Sequence, residues 1–296
     1  ISLLTPIISY SQHQVAFVQV SALNNRTNNP NRTVVSANFE LREGLILVEG
    51  HMNGELGYFI FDTGAPMMIV NKTDIRPNDE ELAAAGITTA VAAEWLSISN
   101  FQWANIEQRN LSAVAIDISH LERATDRRIL GLIGYELLKS YEVLFDYNNH
   151  IVRLFPARNN ALHNHHTPVA VLDFKLRDHV PVLEVNIGGR VYRMGLDSGS
   201  ETNILSSQIK EEIPAIQFNG LRDAEVQGVD QVVHSVTSTL ITSTNIAEHN
   251  FEKMKYLFTD IQHLHDLQMD GLLGFPFFKQ KKCSINYKKG KLYFWE

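Results

Sequence analysis

The chain has 296 residues, enough for two domains of ordinary size. Its 44% hydrophobic and 20% charged residues describe a globular polypeptide rather than a disordered or membrane one. A net charge of −7 without a basic stripe argues against a nucleic-acid partner, and a single cysteine, Cys283, leaves neither an intrachain disulfide nor a Cys-based zinc site.

In chain order, ISLLTPIISY is too short to span a bilayer and lacks a basic flank. Residues 1–38 read as an N-terminal extension with an extra strand or two, closing in the polar loop NNRTNNPNRT. LILVEGHMNGELGYFIFDTG (45–64) then gives an alternating strand, an Asn53-Gly54 turn and a second strand ending at Asp62. DEELAAAG (79–86) and ISHLERATDRR (118–128) carry helical signal. Leu132-Ile133-Gly134 introduces one helical turn, a strand to Tyr147, a turn at Asn148-Asn149 and a closing strand. PARNNALHNHHTP (156–168) is polar, turn-rich and bracketed by prolines, as a linker would be.

The pattern then repeats. PVLEVNIGGRVYRMGLDSG (181–199) sets a second hairpin, turning at Gly188-Gly189, before Asp197, at an offset of 135 from Asp62. SSQIKEEI (206–213) adds a helical signal. GFPFFKQKKCSINYKKGKLYFW (274–295) aligns without a gap on GYELLKSYEVLFDYNNHIVRLF (134–155), at an offset of 140, behind Leu272-Leu273-Gly274. The expected class is mainly β, with two similar lobes and few short helices. The expected boundaries are 39–157 for the first lobe, 158–168 for the linker and 169–296 for the second.

Asp-Thr/Ser-Gly after an apolar run, with a hydrophobic pair and glycine some seventy residues later, resembles the aspartic proteases over residues 39–296. The short halves are similar to the retroviral type, and the whole resembles bacterial proteins with two retropepsin-like repeats in tandem. The resemblance implies two β-barrel lobes related by a pseudo-two-fold axis, with Asp62 and Asp197 side by side as the catalytic pair of an endopeptidase. Two adjacent carboxylates cannot both ionise easily and so share a proton, which suits general acid–base hydrolysis of an amide through water. It further implies that Thr63 and Ser198 hold the loops together across the lobes. Gly64 and Gly199 let the loops turn tightly beside Ala65 and Ser200, and Gly134 and Gly274 close up behind them.

The two loops differ. Ser200 is expected to donate to Asp197, making it the more acidic site, where Ala65 cannot do so for Asp62. Pro66 removes an amide beyond the first loop, and Glu201 is expected to face solvent. Flaps are expected at 87–100, with Trp95 as the candidate aromatic, and at 225–236. The histidines of HNHH (163–166) and HLHD (263–266) are expected in solvated loops; no metal and no cofactor is called for. The expected partner is an extended peptide or protein substrate, with no nucleic acid and no membrane span, and the expected state of the chain is a monomer. The alternatives are a non-catalytic peptide-binding module on the same fold and lobes that pair between chains in a homodimer. The resemblance and the non-Met start make an extracytoplasmic location the expectation.

Overall fold

The computed structural model describes residues 11–13, 34–74, 81–85, 90–158, 160–227, 233–260 and 262–296. These residues are mainly β and build two barrels. In the first, Leu45–Met52, Glu55–Phe61, Ile129–Ile133, Met68–Asn71, Ile106–Ile116 and Ala90–Trp103 pair in that order. The ring closes where His51 faces Gln102 and Met52 faces Phe101. In the second, Val180–Ile187, Arg190–Leu196, Gly271–Leu273, Asn203–Leu205, His249–Phe258 and Val233–Ile246 follow the same order, closing where Asn186 faces Asn245.

Local sequence explains the strands. Leu45 to Val48 and Phe59 to Phe61 are wholly buried, so continuous apolar runs form strands covered on both faces. Each first hairpin turns through positive φ at both central residues, 52° and 88° at Asn53-Gly54 and 62° and 90° at Gly188-Gly189. That geometry matches the twist of the flanking strands and favours Asn-Gly and Gly-Gly.

The sequence offsets reappear as strand register. Leu132 lies beside Ile60 in parallel and beside Ile69 in antiparallel pairing; Leu272 lies beside Gly195 and Ile204 in the same ways. The helical signal of 79–86 is overridden: Glu81–Ala85 is a strand, paired antiparallel to residues 90–94. Alanine and glutamate favour helix only weakly as a local preference, and a hairpin ladder outweighs it. Ser119–Thr125 is helical, and Ser207–Glu212 forms a tighter 3-10 turn. No helix among the described residues is long and apolar enough to cross a membrane.

A six-stranded sheet joins the barrels, in the order Ala170–Asp173, Lys291–Phe294, Cys283–Asn286, Tyr141–Asp146, Ile151–Pro156, Val35–Asn38. Each half supplies three neighbouring strands, and the seam is the antiparallel pair Tyr141–Asp146 with Cys283–Asn286. At its centre Leu144 faces Ser284, its own counterpart at the offset of 140. Val143 faces Ile285 and Phe145 faces Cys283, so exchanging the halves preserves the register. Val35–Asn38 pairs as Ala170–Asp173 does, which carries the repeat back to Val35. Ser11–His13 pairs in parallel with residues 225–227.

One apolar cluster runs through both barrels across this seam. Phe145 lies 5.9 Å, between ring centres, from Phe61 and 5.2 Å from Phe278. Cys283 is buried within it, and burial pushes its thiol pKa up, which keeps it protonated and inert. On the other face, the buried Glu142 carboxylate accepts from Ser284 Oγ at 2.7 Å and Asn286 Nδ2 at 2.8 Å, and His163 Nε2 lies 3.0 Å from both its oxygens. His163 is therefore not the solvated loop residue expected from HNHH: its ring is held against Tyr293 and Trp295. A carboxylate inside a sheet is tolerable only with such partners, and the segment 156–168 supplies one.

Candidate active site

Each aspartate stands just past the end of a barrel strand, where its amide donates to the neighbouring strand at 3.0 Å: Asp62 to Ile133 O and Asp197 to Leu273 O. Three residues later the loops return their carbonyls to a short helix. Tyr135 N donates to Ala65 O at 2.8 Å and Phe275 N to Ser200 O at 2.9 Å. Gly134 and Gly274 precede those helices with φ of −109°, so neither is glycine for a left-handed backbone. Space is the reason: a Cβ on Gly134 would collide with the carbonyl oxygens of Met67 and Ala65, and one on Gly274 with those of Ser200 and Thr202.

The loops are tied to each other by a reciprocal set of four hydrogen bonds. Thr63 N donates to Ser198 Oγ at 3.1 Å, and Ser198 N to Thr63 Oγ1 at 2.9 Å. Each hydroxyl then donates to the opposite strand end, Thr63 to Leu196 O at 3.1 Å and Ser198 to Phe61 O at 2.8 Å. All these groups are buried, so each hydroxyl needs both partners. The arrangement explains why a hydroxyl residue follows each aspartate.

Within this frame the structure brings Asp62 and Asp197 together, each 1% exposed. Gly64 lies against Asp197 and Gly199 against Asp62; a Cβ on either would approach the opposite Cγ to 2.6 and 2.5 Å. Asp62 Oδ1 accepts from Gly64 N at 2.7 Å and Ala65 N at 3.1 Å, and Asp197 Oδ1 accepts from Gly199 N at 2.9 Å. Asp62 Oδ2 is buried and receives no hydrogen from outside the pair. The two buried carboxyls act on each other directly, and two such acids side by side favour holding one proton between them.

Burial raises both acids. Asp62 goes well above the usual carboxylate range because burial, the Asp197 charge and the bond to Asp197 all favour its protonated form. Asp197 rises to about 6, restrained by the proton from Asp62 and by the amides of Gly199 and Gly64. The pair therefore holds one proton between its two carboxyls.

Two expectations about the second loop need correction. Ser200 Oγ donates to Thr202 O at 2.7 Å and not to Asp197, so the hydroxyl holds the loop's own turn together. Glu201 is buried at 9% exposure and acts electrostatically on the half-buried Lys255 of strand His249–Phe258, a basic partner unforeseen because it lies 54 residues away. Pro66 N could not have donated, but its carbonyl accepts from Glu136 N at 3.0 Å, so the loop still anchors its helix.

Both expected flaps fall on hairpins, Glu81–Ala85 with Ala90–Trp103 and Phe218–Gln227 with Val233–Ile246; residues 86–89 and 228–232 lie outside the described residues. Trp95 sits in the strand, opposite Val114, half-buried against the cluster that holds Ala65 and Met67.

Three residues that sequence reasoning did not assign complete the surroundings. His179, buried and from the second half, lies with Nε2 2.7 Å from Gly64 O. Tyr147 and Tyr287 are counterparts at the offset of 140; among the described residues neither buried hydroxyl has a hydrogen-bond partner, and burial together with the nearby acids raises both phenols. The pairing of tyrosines was visible in the repeat, but nothing local marked them as neighbours of the acids.

Residues 183–277 match the model of an aspartyl protease family. The match contains the loop of Asp197, the hairpin of Phe218–Gln227 with Val233–Ile246 and Gly274, and it supports a peptide-hydrolysing protein in general terms. No curated protein matched the chain. The first half lies outside the matched stretch, yet it repeats the same ladder register and the same loop hydrogen bonds.

Proposed function

We propose that the chain is an aspartic endopeptidase working as a single polypeptide, with Asp62 and Asp197 as its catalytic pair. The observation that carries the reading is the buried pair of carboxyls on two loops held together by the reciprocal Thr63–Ser198 bonds. An anion at Asp197 can take a proton from a water between the acids as its oxygen attacks the substrate carbonyl carbon. Asp62 gives its proton to the carbonyl oxygen, forming a gem-diol. Asp197 then gives the proton it took to the amide nitrogen while Asp62 takes one from a gem-diol hydroxyl, the C–N bond breaks, and an acid and an amine leave with the pair restored. The hairpins on which the flaps are expected offer strand-like pairing to an extended peptide, and the apolar cluster of Ala65 and Met67, with Trp95 packed against it, suits apolar side chains.

The test is cleavage of a denatured protein mixture by the purified chain from pH 3 to 9, with and without a statine-type inhibitor. Inhibitor-sensitive cleavage that disappears in Asp62→Asn is the expected result. Tight inhibitor binding with no cleavage at any pH would instead identify a peptide-binding module.

A further inference from the structure

His179 occupies the turn between strands Lys175–Arg177 and Val180–Ile187 in the second barrel, yet its ring is buried against the first barrel's loop. Its Nε2 lies 2.7 Å from the carbonyl oxygen of Gly64. A carbonyl only accepts, so Nε2 carries the hydrogen and donates. That carbonyl belongs to the Gly64–Ala65 peptide, whose own N–H donates to Asp62 Oδ1 at 3.1 Å. One peptide unit thus links the ring of His179 to the carboxyl of Asp62, and hydrogen bonds in series polarise and strengthen one another.

Among the described residues the other barrel shows no such device. At the offset of 135 the counterpart of His179 is Gly44, with φ of +84°, where a Cβ would come within 3.0 Å of Phe275. Phe275 is the counterpart of Tyr135, whose ring lies 6.2 Å from that of His179. The same pocket is filled by an aromatic edge on one side and by an imidazole on the other. Resting on the proposed function, we infer that His179 is a positioning residue of the catalytic pair: it reaches across from the second barrel, holds the Gly64 carbonyl and so aims the Ala65 amide at Asp62.

The consequence has a sign. Losing the donor weakens the Ala65 bond to Asp62 Oδ1, so the pair's anionic form is less favoured and its first ionisation moves to higher pH. The titratable and charged groups around the ring are Asp178 beside it, Tyr135 against it with Lys139 and Glu136 next to that phenol, and the pair itself beyond Gly64. None of these is changed by a substitution at 179.

The experiment compares the full chain with His179→Phe, which keeps an aromatic ring and has no donor, and with His179→Gln, whose amide can place a hydrogen near Nε2. The readouts are the titration of the aspartate carboxyls by 13C NMR, which needs no substrate, and kcat/KM against pH. Phe is expected to raise the first ionisation by roughly half a pH unit and lower kcat about 3- to 10-fold, with Gln restoring most of both. If Phe does not fold, His179→Asn, too short to reach the carbonyl, takes its place with the same expected shift. A carboxyl titration unchanged in Phe or Asn overturns the inference even if activity falls. A shifted titration in a chain that cleaves nothing leaves the positioning role standing and removes the endopeptidase.

Discussion

Asp62-Thr63-Gly64-Ala65-Pro66 and Asp197-Ser198-Gly199-Ser200-Glu201 perform the same backbone manoeuvre with different side-chain equipment. What they share lies inward: the amide to the adjacent strand, the carbonyl to the short helix, the hydroxyl across the seam. What differs lies around the turn. The first loop is apolar and receives His179 from the opposite barrel; the second keeps Ser200 for its own turn and Glu201 near Lys255. Symmetry is retained where two buried backbones must interlock, and relaxed around the turns, where the first loop takes a ring from the opposite barrel and the second is held by its own residues.

The largest expected effect tests whether the acids are equal partners. Asp62→Asn and Asp197→Asn should each lower kcat by a factor of about 1,000 or more, since one proton position serves both. A variant keeping a tenth of wild-type turnover would leave the other acid as the sole catalyst. Next come the glycines behind the loops. Gly134→Ala and Gly274→Ala push a methyl into carbonyl oxygens and should each destabilise by about 3 kcal/mol or more in urea unfolding. Equal losses would sharpen the comparison, and wild-type stability in either would break it.

The pH dependence follows from the raised acids. Asp197 titrates near 6 in the folded chain and near its ordinary value of about 4 when unfolded. The folded state thus binds the proton more tightly, and stability falls as pH rises from about 4 to about 6. Asp197→Asn removes that penalty, so its stability relative to wild type should improve by about 2 kcal/mol between pH 4 and pH 7, read by unfolding at both. A change in the opposite direction would place the charge in a stabilising site. The same value sets the acidic limb of kcat/KM near pH 6 in the proposed enzyme, with little activity at pH 4.

Smaller effects probe the seam. Thr63→Val and Ser198→Ala each strand a buried amide and a carbonyl and should cost about 1–3 kcal/mol; each loses two of the four bonds and none is shared, so the double variant should cost about the sum, and a departure from it measures the coupling between the loops. Smallest is Ser200→Ala, about 1 kcal/mol of stability from the lost bond to Thr202 and no movement of the acidic limb. A moved limb would put the hydroxyl back on Asp197.

Features with a repeating local signature were legible in the sequence. Asn53-Gly54 and Gly188-Gly189 announced their hairpins, and Asp62, Asp197, Gly134 and Gly274 announced themselves by recurring in matched surroundings. What escaped depends on contacts distant in sequence. Ser200 has several acceptors within two residues, and only the fold decides that Thr202 wins. His179 meets Gly64 across 115 residues, and Glu142 meets Asn286 across 144. Residues 81–85 carry helical composition, and their hairpin partner reverses it.

The register of the seam has one more consequence. A pairing in which Leu144 meets its own counterpart Ser284 is the contact two identical subunits would make. In such a dimer every substitution occurs twice: a histidine in the place of His179 would also stand at Gly44, where Phe275 leaves no room. Joining the halves in one polypeptide releases that restriction. Each loop can acquire a residue its twin could not tolerate, so covalent linkage here gives the molecule a licence for one-sided change.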